Sequence, residues 1–70
     1  MTKFGERVRE LRLEKSLSQL NFAEMLGVDQ RAVSHWEVGE RECSFETLCR
    51  IARILECDVN YLLGFEELSS

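Results

Sequence analysis

The 70-residue chain predicts a single all-α domain built of five short helices. Three observations lead there. It has no proline, no alternating apolar run of strand length and no Asn-Gly or Asp-Gly hairpin turn. Its apolar residues recur at spacings of three and four, the period of a helix with one buried face. Four of these runs are preceded by a Ser or Asp suited to capping, and three are followed by a glycine.

The first helix spans about Lys3 to Lys15, with Phe4, Val8 and Leu11 on one stripe and Leu17 closing it. Ser16-Leu17-Ser18 breaks it. Ser18 caps a second helix, Gln19 to about Leu26, because its hydroxyl can accept an orphan backbone N–H. Phe22, Ala23 and Leu26 form its inner face, and Gly27 ends it. Asp29 caps a third, Gln30 to about Val38, with Val33 and Trp36 inward and Gly39 as its stop. A charged loop, Glu40-Arg41-Glu42-Cys43, leads to Ser44, the cap of a fourth helix from Phe45 to about Leu55. Leu48, Ile51, Ala52 and Leu55 face inward there. Asp58 caps a last helix, Val59 to about Leu63, ended by Gly64. The ordered core is expected over about residues 3–64, with a frayed tail over 65–70.

Composition excludes several classes. Hydrophobic residues make up 44% of the chain and both charge signs are well represented, which argues against disorder. No apolar run approaches the roughly 20 residues of a membrane span. After Met1 the chain runs directly into Thr2-Lys3-Phe4-Gly5-Glu6-Arg7, without the apolar stretch of a secretory signal. The cytoplasm is the expected location. A domain this small buries only about 60% of its extended surface and a core of this size rarely supplies more than about 3–5 kcal/mol, so pairing with a second copy would help it.

The formal net charge is −4. Residues 1–35 carry +1 and residues 36–70 carry −5, so the first half is the better neighbour for a polyanion. Bulk attraction to nucleic acid is excluded, and any such binding must rest on local geometry. Cys43, Cys49 and Cys57 are odd in number and lack Cys-x-x-Cys spacing, which suggests neither a disulfide framework nor a zinc site. His35 stands apart from them. No metal, cofactor or small-molecule ligand is expected, and no nucleophile–base arrangement points to an enzyme.

The second and third helices, joined by Gly27-Val28-Asp29, have the length and turn of a helix-turn-helix. They must cross steeply, with Ala23 permitting close approach. Gln30, Arg31, Ser34 and His35 then share the outer side of the third helix, opposite Val33 and Trp36. Such a set suits reading base edges, although a polar helix face is also what solvent requires. Trp36 belongs to the core rather than to a stacking site.

The chain resembles the Cro/phage-repressor family of helix-turn-helix regulators, also called the xenobiotic-response-element type. The resemblance lies in Phe4-Gly5-Glu6-Arg7-Val8-Arg9-Glu10-Leu11-Arg12, Leu17-Ser18-Gln19, Phe22-Ala23-Glu24-Met25-Leu26-Gly27-Val28 and Val33-Ser34-His35-Trp36-Glu37-Val38-Gly39. It continues through Phe45-Glu46-Thr47-Leu48 and Ile51-Ala52-Arg53-Ile54-Leu55 to Val59-Asn60-Tyr61-Leu62-Leu63, in register over nearly the whole chain. It implies a lambda-repressor-like domain that binds double-stranded DNA as a homodimer on a palindromic operator, acting as a transcriptional repressor. The third helix would lie in the major groove, with half-sites about 34 Å apart. Gln30, Arg31, Ser34 and His35 occupy the family's base-reading positions, where bidentate geometry matches Arg31 to guanine and Gln30 to adenine. By the same resemblance Gln19 meets a phosphate and braces Gln30, Arg41 touches backbone, and Arg12 and Glu37 form a structural ion pair between the first and third helices. The alternatives are a local capping role for Gln19, a solvated charge at Arg41 and an exposed pair for Arg12 and Glu37.

Leu62, Leu63, Phe65 and Leu68 divide between core-plus-tail and a dimer face, which the family often builds near the last two helices. The chain departs from the family pattern at Glu40, Glu42 and Cys43, where basic residues and a proline are common. Two glutamates there would weaken DNA binding and make it unusually salt-sensitive. Leu20, Met25 and Val38 are apolar where polar residues are usual, either as solitary surface side chains or as a partner-facing patch. The alternative function is therefore a protein-interaction module on the same fold (an antitoxin, anti-repressor or adaptor) with weak or lost DNA binding.

Overall fold

The computed structural model describes residues 3–65. Among them the chain forms α1 (Lys3–Glu14), α2 (Gln19–Leu26), α3 (Gln30–Val38), α4 (Phe45–Leu55) and α5 (Val59–Leu63), and no strand. The expected caps explain most of the boundaries. Ser18 Oγ accepts from the Asn21 N–H, Asp29 from Arg31, Ser44 from Thr47 and Asp58 from Asn60. Each bond satisfies one donor that the first helical turn would otherwise leave orphaned.

Two helix ends use residues other than glycine in the left-handed conformation. Ser16 has φ 57° after α1, and Glu56 has φ 57° after α4. Both turns are closed by backbone bonds reaching back into the helix, Leu17 N–H to Arg12 O at 3.0 Å and Cys57 N–H to Ala52 O at 2.9 Å. These bonds satisfy carbonyls that the helix C-terminus leaves open. Helix α1 thus stops at Glu14, one residue earlier than the pattern predicts.

Val8, Phe22, Leu26, Val33, Ile51 and Leu62 are fully buried, one or more from every helix. Phe4, Leu11 and Leu17 pack against this core without being fully covered. Leu62 corrects the sequence reading: with none of its surface accessible, it fills the core and has nothing to offer a dimer face. Burying such a side chain is worth about 1.5–3 kcal/mol, which fixes the inward face of so short a helix. Leu63 and Phe65 remain exposed beside it, and Leu68 lies outside the described residues.

One close approach sets how α1 meets α3. A Cβ at Gly5 would sit 2.4 Å from the Trp36 carbonyl oxygen and 2.6 Å from that of Glu37. The obstructing atoms are backbone and cannot swing away. Gly5 is a close-packing glycine inside a helix, where its intrinsic propensity is poor.

Candidate nucleic-acid interface

Helix α3 is held along one side and open along the other. Val33, Trp36 and Glu37 are buried. On the other side Gln30 and Arg31 are exposed, and Ser34 and His35 are half-exposed. The Asp29 carboxylate accepts from the Arg31 N–H at 2.9 Å, so the first turn of α3 is fixed while its side chains project into solvent. The four residues assigned to base reading do share one open surface. Among the described residues, no helix is long and apolar enough to cross a membrane.

The hold on α3 is a buried ion pair. Arg12 Nε donates to Glu37 Oε2 at 2.7 Å, and Arg12 Nη2 donates to Glu37 Oε1 at 3.0 Å. Their side chains are 7% and 3% exposed, so the alternative of a solvated pair does not describe them. The third guanidinium nitrogen, Nη1, donates to the Leu17 carbonyl at 2.7 Å. Two parallel N–H···O bonds on a carboxylate are the strongest arrangement an arginine makes. No buried side-chain nitrogen or oxygen among the described residues lacks a partner, the condition under which a buried pair is tolerable.

Gln19 completes that network. Its Nε2 donates to Glu37 Oε1 at 3.2 Å, which turns the amide inward to Glu37 rather than across to Gln30. The physical reason is the carboxylate, whose remaining acceptor sites demand donors once it is buried. Capping of α2 is done by Ser18 instead. One carboxylate on α3 thereby gathers α1 and the first residue of α2, and its partner Arg12 adds the turn between them.

Arg41 is exposed and lines a cleft with Arg31, His35, Trp36, Glu42 and Thr47, between α3 and the start of α4. Arg41 and Arg31 thus line the same cleft at the open side of α3. Glu40 lies at the same edge, with its Oε2 3.7 Å from His35 Nε2. Burial pushes the Cys43 thiol up from its ordinary titration range, and Glu42 adds to the effect against an opposing backbone hydrogen bond. Burial does the same to Cys57, with Asp58 adding to it. Neither thiol is tuned as a nucleophile.

Sequence reasoning missed several contacts, three of which bear on the helices around the site. Arg7 lies over the Tyr61 ring, 4.1 Å from its centroid, and donates to the Tyr61 carbonyl, which ties α1 to α5. The Gln19–Glu37 bond and the His35–Glu40 pair were the others. Leu20 and Met25 are about half exposed, and so is Val38; Phe45, at 76%, is more exposed than any of them. The high exposure of Phe45 has no signal in the helical pattern, because the first residue of a helix can face either way.

Residues 8–62 match the helix-turn-helix family. An uncharacterized HTH-type transcriptional regulator of Bacillus subtilis, YqaE, is 38% identical over 63 residues, which are 90% of this chain and 54% of YqaE. The chain therefore spans about half the length of that relative. The P22 c2 repressor protein, in a crystal structure of its complex with a synthetic operator, superposes with a TM-score of 0.82 at 37% identity, covering 86% of this chain and 91% of that one. The restriction-modification controller protein C.AhdI of Aeromonas hydrophila superposes with a TM-score of 0.79 at 38% identity, covering 87% and 92%. With five helices, the paired α2 and α3, and a match over most of its length, the chain belongs to the Cro/C1-type helix-turn-helix family of transcriptional regulators.

Proposed function

We propose that this domain binds a specific double-stranded DNA sequence as a homodimer and acts as a transcriptional repressor in the cytoplasm. Its effect is occupancy of an operator rather than catalysis. The observation that carries the reading is the two-sidedness of α3: a buried side locked by Glu37, and an open side bearing Gln30, Arg31, Ser34 and His35. The likeness to a repressor crystallised on its operator supports the same placement.

In this reading α3 enters the major groove. Arg31 donates bidentately to guanine O6 and N7, and Gln30 pairs with adenine N6 and N7. Ser34 and His35 reach adjoining base edges. The backbone N–H groups of the first turn of α2 face a phosphate. Gln19 contributes there only what its bond to Glu37 leaves free. Arg41 meets backbone at the other end. Leu63 and Phe65 offer apolar surface to a second copy, which would set two α3 helices on successive major grooves.

Selection of bound duplexes from a random pool, at low and near-physiological salt, tests the reading. The expected product is a two-fold-symmetric site with half-sites about 34 Å apart. No enrichment at either salt, from protein shown by Trp36 fluorescence to be folded, would overturn it in favour of a protein-interaction module.

A further inference from the structure

We propose that Glu40 is an internal competitor for His35, a carboxylate that lies beside the histidine in the free domain and must move aside when DNA binds. The proposal rests on the DNA-binding reading above. It begins with the backbone. After Gly39 turns the chain, the Glu40 N–H donates to the His35 carbonyl at 2.9 Å, and the Arg41 N–H approaches the same oxygen at 3.4 Å. Glu40 is therefore anchored by its main chain to the residue that its side chain faces. Its Oε2 lies 3.7 Å from His35 Nε2, with the two side chains 68% and 34% exposed respectively.

Nε2 is the imidazole nitrogen that faces the Glu40 carboxylate. At 3.7 Å the carboxylate is a charged neighbour of the ring rather than a hydrogen-bonded acceptor. Binding must bring a DNA acceptor to the ring and leave the charge of Glu40 beside the duplex. The other charges around His35 are mixed: Arg31 one turn earlier, Asp29 at the cap, and Arg41 and Glu42 from the loop, all lining the same cleft. Only the cationic ring forms an ion pair with Glu40.

The test compares the unmodified domain, Glu40→Gln, His35→Asn and the double variant. Fluorescence anisotropy is measured at pH 6 with the duplex recovered by selection. Glu40→Gln is expected to tighten binding about two- to five-fold at pH 6, the scale of an exposed ion pair. The gain is absent when His35 is Asn. An equal gain with and without His35 would make Glu40 a charge acting on the phosphates alone and would overturn the proposal, as would no gain. The imidazole NMR signals of the free domain at pH 6 supply a readout without DNA. They are expected to move on Glu40→Gln, and unmoved signals overturn the pairing whatever the DNA result. If the signals move but none of the four proteins binds any duplex, the DNA reading itself falls and the competitor role with it.

Discussion

The two sides of α3 obey different chemistry although they alternate along nine residues. On the inner side a charged residue, Glu37, is buried more completely than Trp36 beside it. On the outer side four polar residues have little to hold them. The inner side is determined by the rest of the domain, since Arg12, Gln19 and the Gly5 contact all converge on its last turn. The outer side is open to solvent. A helix of this length cannot be rigid by itself. Its open face is positioned because its opposite face is anchored.

Substitutions should therefore separate into those that cost folding and those that cost binding. Glu37→Ala should have the largest effect, about 3–5 kcal/mol of stability, because it leaves the buried Arg12 guanidinium uncompensated. That is comparable to the whole stability of a domain this size, and thermal unfolding followed by circular dichroism should show little folded protein. Replacing both partners, Arg12→Met with Glu37→Leu, should recover much of the loss. If the single variant melts normally, the anchoring account of the inner side is wrong.

Gly5→Ala comes next. In an open helix this change would stabilise by up to about 1 kcal/mol. Here the Cβ meets two backbone carbonyls, and overpacking of this kind costs about 1–3 kcal/mol. A lowered midpoint in urea supports the close approach of α1 to α3, and a raised midpoint contradicts it. On the outer side, Arg31→Ala should change stability by no more than about 0.5 kcal/mol while costing about 1–3 kcal/mol of specific DNA binding.

The smallest effect concerns the thiols. Burial holds Cys43 and Cys57 above the ordinary thiol range, favouring the neutral form in the folded state. The sign follows from linkage: their contribution to stability is complete below the unfolded thiol's titration and is lost as pH rises through the elevated folded value. Alkylation by iodoacetamide at pH 8 should accordingly be slower at these two residues in the folded domain than in urea. Equal rates would remove the burial argument.

The fold was legible because its punctuation is local. Ser18, Asp29, Ser44 and Asp58 each bond a backbone group two or three residues ahead, and that relation can be read along the chain. Left-handed Ser16 and Glu56 were not legible, because neither residue type signals that conformation. Of the candidate site, the outer residues of α3 follow from helical period once Val33 and Trp36 are placed inside. The partner of Gln19 does not, since an amide at a helix start can turn outward or inward, and only the assembled domain puts a carboxylate within reach. Leu62 was divided between core and dimer face for a related reason. A five-residue helix repeats its pattern too few times to show which leucine points in.

The most direct test of this division is the binding profile of Arg31→Ala across every single-base variant of the recovered duplex, measured beside the unmodified domain. The expected result is an unchanged melting curve and a base preference flattened at one position of each half-site. A uniform weakening at every position, or a loss of stability as large as the loss of binding, would contradict the claim that the outer side of α3 reads sequence while the inner side holds the fold.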